Sequence, residues 1–316
     1  MPRAAAIAGD WGTSNLRLFL CSVEGNILAR KTGPGAAAVD APFPRVLARL
    51  VADWQREHGE LPVVLCGMVG SNIGWTQVPY VPCPASVDQI AAHCVTLEDG
   101  RVCIVPGLSC TNQLDAPDVM RGEETQIIGA LQLDAALRRG QQLLCLPGTH
   151  TKWVALDDGV VSNFLTAPAG ELYALLAKYS VLVSDAASGQ RAAESPDDAA
   201  AFARGLEQVR RFPQADLLQR IFQCRSRRLT SDLAAHEASG FMSGLVIGSD
   251  AHAALRLMAP GASVHVIGTP QLTHLYAQAL SSFGAVPREI DGDAAALAGL
   301  MRVHRARVAA EVAHEH

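Results

Sequence analysis

Positive charge is not in excess in this chain of 316 residues: 26 Lys and Arg stand against 31 Asp and Glu, a formal net charge of −5. Without a basic footprint, neither nucleic acid nor an anionic membrane is an expected partner. Long apolar runs are missing too. None approaches the roughly 20 residues that span a bilayer. The most apolar stretch, "GFMSGLVIGSDAHAALRLM", is broken by Asp250 and His252 and reads as a buried helix. The opening "MPRAAAIAGD" reaches an acidic residue too early for a signal peptide. No two of the eight cysteines are spaced as CxxC, which speaks against a metal or disulfide framework. Cys66, Cys103 and Cys145 read as small hydrophobes in a reducing compartment. A cytoplasmic globular protein is expected, and 316 residues with 49% hydrophobic content suit two domains.

Two common nucleotide-binding signatures are also lacking. A dinucleotide fold needs GxGxxG opening a helix. Here "IAGDWGTSNLRLFL" offers Gly9 and Gly12 at the wrong spacing, and "NLRLFLCSV" follows with the period of two of a strand. A Walker loop needs GKS or GKT before a helix, and none occurs. What is there instead is strand, polar turn, strand, an "EGN" turn at 24–26, and a third strand "ILARK". Such an antiparallel meander still binds phosphate through its first turn. Glycine lets the backbone approach, and amides and hydroxyls point at phosphate oxygens. Asp10 would be repelled by phosphate, so it points to a magnesium ion held through water.

The same grammar recurs at residues 143–166, "LLCLPGTHTKWVALDDGVVSNFLT". The Gly-Thr pairs at 12–13 and 148–149 are each followed by an acidic-Gly turn and then a helix. The first helix carries Val46, Leu47, Leu50, Val51 and Trp54 on one face. One unit per half predicts two similar domains, 1–140 and 141–316, with a cleft between them and the final helix free to pack on the first domain. Later, "SVHVIGTPQLTHLYAQALSSFG" ends a strand at Gly268, with Thr269 as a helix cap.

In these motifs the chain resembles the sugar kinase, Hsp70 and actin-like ATPases, which implies an α/β, two-domain actin-like (ribonuclease H-like) fold with a duplicated mixed-sheet unit and an inter-domain cleft. More particularly, "GDWGTSNLRL", "CGMVGSNIGWTQVPYVPCPA", "VMRGEETQIIGAL", "LPGTHTKWV" and "SGFMSGLVIG" resemble the 2-dehydro-3-deoxygalactonokinase family. The resemblance implies ATP- and Mg2+-dependent phosphorylation of 2-dehydro-3-deoxy-D-galactonate at its terminal hydroxyl, in galactonate breakdown.

Residue assignments follow from that resemblance. Gly12, Thr13 and Ser14 would hold phosphates from one domain; Gly148, Thr149 and Lys152 from the other; Gly268 and Thr269 would take the adenosine. In related carbohydrate kinases an Asp opening a helix before the second phosphate motif is the base, and Glu123 occupies that place, with Glu124 as its rival. Arg17, Ser71, Asn72, Trp75, Tyr80, Glu171 and Tyr173 would contact the sugar acid. One departure stands out: many relatives carry an Asp in the second phosphate motif, where "LPGTH" has none and His150 stands nearby.

The arginines "RSRR" at 225–228 are expected on a solvated face, the strip 186–200 as a surface loop before a peripheral helical insertion, and the tail as a helix with a frayed polar end. Alternatives keep the fold but change the acceptor to another sugar or sugar acid, or remove it, giving an actin- or Hsp70-like ATPase. A chain that ends soon after the adenosine element leaves no room for the peptide-binding domain the last reading needs. The missing GxGxxG–helix unit speaks against a dehydrogenase. The partners expected are ATP and a small sugar acid, with a homo-oligomer left open.

Overall fold

Leu16, Leu18 and Leu20 alternate with less apolar neighbours, and in the computed structural model of the chain all three are buried on one strand of an antiparallel meander. The structure describes residues 3–97, 100–183, 198–258 and 263–314. In chain order the first elements are β1 (Ala4–Trp11), β2 (Asn15–Ser22), β3 (Ile27–Pro34), α1 (Phe43–His58), β4 (Val63–Gly67), β5 (Val81–Pro82), α2 (Val87–Ala92), β6 (Val95–Leu97), β7 (Val102–Ile104), β8 (Leu108–Thr111), β9 (Pro117–Met120) and α3 (Glu123–Leu133). Then come β10 (Gln141–Leu146), β11 (Thr151–Asp157), β12 (Val160–Ala167), α4 (Ala169–Tyr179), α5 (Asp198–Arg211), α6 (Leu217–Ile221), α7 (Gln223–Leu229), α8 (Ala238–Met258), β13 (Ser263–Gly268), α9 (Pro270–Ser282), β14 (Val286–Asp291) and α10 (Gly292–His314).

The chain divides into two compact units. One comprises Met1–Gln141, Leu156–Phe164 and Asp291–His316; the other comprises Gln142–Ala155 and Leu165–Ile290. A six-stranded sheet runs in the order β3-β2-β1-β4-β7-β6, and a five-stranded sheet in the order β12-β11-β10-β13-β14. The first five positions match one for one: three consecutive strands, then two that come later in the chain. In the first sheet β1 pairs antiparallel with β2 and parallel with β4; in the second, β10 is parallel to β13. A duplicated mixed-sheet unit is therefore present.

Hydrophobic burial fixes each layer. On α1, Val46, Leu47, Val51 and Trp54 are buried against Leu16, Leu18 and Leu65, with Leu50 partly buried beside them. The helix ends where Gly59 takes a positive φ of 82°. α10 crosses α3 in close contact, because Gly129 and Gly299 have no side chains: a Cβ on Gly129 would lie 1.7 Å from the Ala295 carbonyl oxygen. In the second unit Phe202 and Leu206 of α5 pack into the core with Ile247 and Ala251 of α8. The helical insertion is thus part of that core rather than peripheral to it.

The arginines at 225–228 depart from expectation. Arg227 lies 5.5 Å over the Phe241 ring. Arg225 and Arg228 donate to the carbonyls of Val181 and Leu182. Their stems cover apolar surface while the heads find backbone acceptors. Most of the strip at 186–200 lies outside the described residues, as do the side chains of the polar tail. Cys21, Cys66, Cys103, Cys145 and Cys224 are buried. Among the described residues no helix is long and apolar enough to cross a membrane.

Candidate active site

The predicted site residues fall into two groups, one in each unit. In the first unit they gather at the C-terminal ends of the parallel strands β1 and β4, where open α/β sheets bind ligands. Asp10 sits across from Arg17 on β2 and beside Cys66 on β4. Arg17 points at Asp10, Nη2 to Oδ2 being 2.5 Å, and also pairs with Asp293 at the start of α10. Burial works against the Arg17 charge, but Asp10 and Asp293 outweigh it and hold the guanidinium above its ordinary range. The turn between these strands is braced from behind. The amides of Ala36 and Ala37 donate to the carbonyls of Gly12 and Thr13 at 2.9 and 3.1 Å, leaving Thr13 and Ser14 exposed.

α3 brings its N-terminus to the same edge. Gly122, with φ 109°, starts the helix close to Gly67. Glu123 and Glu124 occupy the first turn, where the helix dipole favours negative charge, yet they differ sharply. Glu124 is fully buried; its Oε2 accepts from the Gly122 amide at 2.6 Å and its Oε1 from the Thr125 hydroxyl at 3.1 Å. Burial, and then the charge of Glu123, push its pKa up to about 8. Glu123 is partly exposed and accepts from the Arg121 amide at 3.1 Å.

The 68–82 loop lies in this unit as well. The Ser71 hydroxyl donates to the Met68 carbonyl at 2.7 Å and accepts from the Ile73 amide, so it shapes the loop's own turn, while Asn72 is exposed. Trp75 packs against the core and lines a cavity of about 330 Å³ with Leu47 and Val51 of α1. Tyr80 turns the other way, its ring 4.4 Å beneath the Arg121 guanidinium. Arg121 and Asp293 are site residues that sequence reasoning missed. Arg121 stands inside the motif "VMRGEETQIIGAL", but nothing local marks it as Tyr80's neighbour.

In the second unit the Gly-Thr turn is braced in the same manner. The Glu171 amide donates to the Thr149 carbonyl at 2.9 Å. Gly268 lies beside Pro147, so the end of β13 adjoins the turn. Thr269 occupies the N-cap position of α9 without a side-chain capping bond, and Pro270 follows at the first helical position. Lys152 is buried and donates to the Thr166 hydroxyl at 2.9 Å. His150 and Glu171 pair at 2.6 Å, both half exposed. Tyr173 packs against the core that includes Phe241 and Met242. Asp250, partly buried and pushed up by desolvation to about 6, accepts from Trp153 Nε1 at 2.9 Å and from the Tyr276 hydroxyl at 2.7 Å.

Two sheets of one strand order, each with a Gly-Thr turn at the same edge, define the class as an actin-like α/β fold. The activator of the 2-hydroxyisocaproyl-CoA dehydratase from Clostridium difficile with bound ADPNP shares that fold at TM-score 0.51 and 12% identity, over 97% of both chains. The family is more specific. The family model for 2-keto-3-deoxy-galactonokinase matches residues 10–303. The chain is 34% identical to the 2-dehydro-3-deoxygalactonokinase of Escherichia coli K12 over 304 residues, covering 96% of this chain and 98% of the relative. A crystal structure from Sinorhizobium meliloti, of a protein named as a 2-dehydro-3-deoxygalactonokinase, superposes at TM-score 0.82 with 34% identity, over 96% of this chain and 99% of that one. This chain belongs to the 2-keto-3-deoxy-galactonokinase family and is a carbohydrate kinase.

Proposed function

We propose that the chain transfers the terminal phosphoryl group of ATP to the terminal hydroxyl of 2-dehydro-3-deoxy-D-galactonate, giving the 6-phosphate and ADP. The observation that carries the substrate is the family match over residues 10–303. The geometry supports the roles. In the transfer, the acceptor hydroxyl oxygen bonds to the terminal phosphorus as the bond to the bridging oxygen breaks, and ADP leaves. The hydroxyl proton goes to Glu123, the accessible carboxylate of the α3 terminus. Glu124, with its pKa near 8, keeps its own proton at neutral pH and cannot accept another. Glu124 therefore anchors the helix start.

Thr13 and Ser14 offer exposed hydroxyls to phosphate oxygens from the turn that Gly12 opens, and Thr149 does so after Gly148 in the second unit, where Lys152 adds positive charge. Gly268 and Thr269 take the adenosine. A carboxylate such as Asp10 suits magnesium, which keeps several waters and draws its remaining ligands from phosphate oxygens. Bound there, the ion would neutralise charge developing on the phosphates. Asn72 and Tyr80 contact the sugar acid.

Coupled measurement of ADP release with magnesium-ATP tests the proposal. The acceptors are 2-dehydro-3-deoxygalactonate, its gluconate epimer, galactonate and glycerol. Release confined to, or far fastest with, the first acid is expected. ATP binding without any acid-dependent release would reject the substrate assignment.

A further inference from the structure

Enclosed guanidinium N–H groups normally find acceptors, because a desolvated donor left unpaired is costly. Arg121 departs from this rule. Its Nη2 donates to the Val78 carbonyl at 2.7 Å, and its guanidinium stacks on Tyr80. Its Nε and Nη1 are both enclosed and have no hydrogen-bond partner, and among the described residues no carboxylate pairs with the side chain. The surroundings are built to hold it there. Gly70, in the loop between β4 and β5, leaves room for Nη1, since a Cβ at that position would lie 2.9 Å away, with Ile104 and Val78 as the neighbouring apolar contacts. Tyr80 in turn packs on Gly107, where a Cβ would be 2.7 Å from its Cε1. Glycine, aromatic ring, guanidinium and glycine thus form one stack. It lies two residues from Glu123 and against the loop that carries Ser71 and Asn72. Structural arginines are commonly saturated by acceptors, whereas this one keeps two donors uncommitted beside the candidate base.

We infer that Arg121 is the specificity-determining residue for the acceptor's carboxylate: a guanidinium held by Tyr80 and Val78 as the counter-charge of the sugar acid. The inference rests on the acid reading of the substrate given above. It moves the anion contact from the neutral Ser71 and Asn72 to a cation. Arg121 as a whole is partly exposed although Nε and Nη1 are enclosed, so a small acid meets the guanidinium at its exposed side and reaches those two donors only where the loop around Gly70 yields. Hydrogen bonds to a charged partner are worth about 1.5–3 kcal/mol, which corresponds to roughly 10–150-fold in kcat/KM.

The test compares the acid with its primary amide in the wild type, Arg121→Gln and Arg121→Met. The readout is the ratio of kcat/KM for acid to kcat/KM for amide, with KM for ATP as a control. Both variants are expected to lower that ratio roughly 10–150-fold while leaving KM for ATP within about three-fold of wild type. Arg121→Met also removes two enclosed N–H donors that have no acceptor, so its melting temperature should equal or exceed that of the wild type. A parallel loss for acid and amide, with the ratio unchanged, would make Arg121 a prop for the loop and overturn the inference alone. A wild-type protein that phosphorylates a neutral sugar and no acid would remove the functional reading, and this inference with it.

Discussion

The two Gly-Thr turns share a scaffold and differ in chemistry. Counted from their glycines, Gly12 and Gly148, both are closed from behind by a later glycine that no side chain could replace. A Cβ on Gly35 would lie 2.2 Å from the Ser14 carbonyl carbon, and one on Gly170 would lie 2.2 Å from the Gly148 carbonyl oxygen. Both turns have their carbonyls capped by amides of the segment that follows the third strand. The polar pair of the first turn has no counterpart in the second. Two residues before the glycine, Asp10 corresponds to Leu146; five after it, Arg17 corresponds to Trp153. The ion pair of one unit is therefore an apolar pair in the other, with both Leu146 and Trp153 buried. The two units share the braced backbone of the turn, and only the first sets a carboxylate two residues before its glycine.

That asymmetry can be broken experimentally. The largest effect is expected at the α3 terminus: Glu123→Gln should lower kcat roughly 10²–10⁴-fold, while Glu124→Gln changes it by less than about ten-fold. Steady-state kinetics of both variants decide it, and the reverse order would make Glu124 the base. Next, Asp10→Asn should raise the magnesium concentration for half-maximal rate by roughly ten-fold or more, since a metal contributes several kcal/mol of charge stabilisation. His150→Gln, in the acid-free turn, should shift it by less than about three-fold. A magnesium titration that moved equally in both would show that the two turns share the ion.

The common scaffold predicts matching losses. Gly35→Ala and Gly170→Ala should each cost about 1–3 kcal/mol by overpacking, read as lowered denaturation midpoints. A loss in only one would mean that the turns are braced differently.

The last effect concerns two carboxyl groups, the buried Glu124 and the partly buried Asp250. Glu124 has a folded pKa of about 8 against an ordinary 4.5, so between those values the folded chain holds a proton that the unfolded chain has released. Stability must therefore fall as pH rises through that window. Asp250 acts in the same direction between 3.8 and about 6. Melting curves of Glu124→Gln should lose the slope between pH 6 and 8 and keep only the Asp250 share of the slope below 6.

Much of this was legible in the chain itself. The meander strands, the face of α1 and the start of α3 at Glu123 follow from period-two and period-3.6 burial and from glycine at turns, all short-range effects. The motifs around Gly12, Gly70 and Gly148 pointed to the family for the same reason: backbone approach to a ligand constrains residues that are close in sequence. Pairings between distant segments were not legible. That Arg17 faces Asp10 and Asp293, that Arg227 covers Phe241, and that Trp75 turns to the core while Tyr80 meets Arg121 all depend on which elements pack together. Adjacent glutamates look alike in sequence, yet burial raised one and left the other accessible. The sequence by itself determined the two turns and the strands that carry them, because local backbone geometry and side-chain period are written residue by residue. Only the tertiary structure decided which charges are paired, buried or left unmatched, because desolvation and Coulomb energy depend on neighbours brought from elsewhere in the chain.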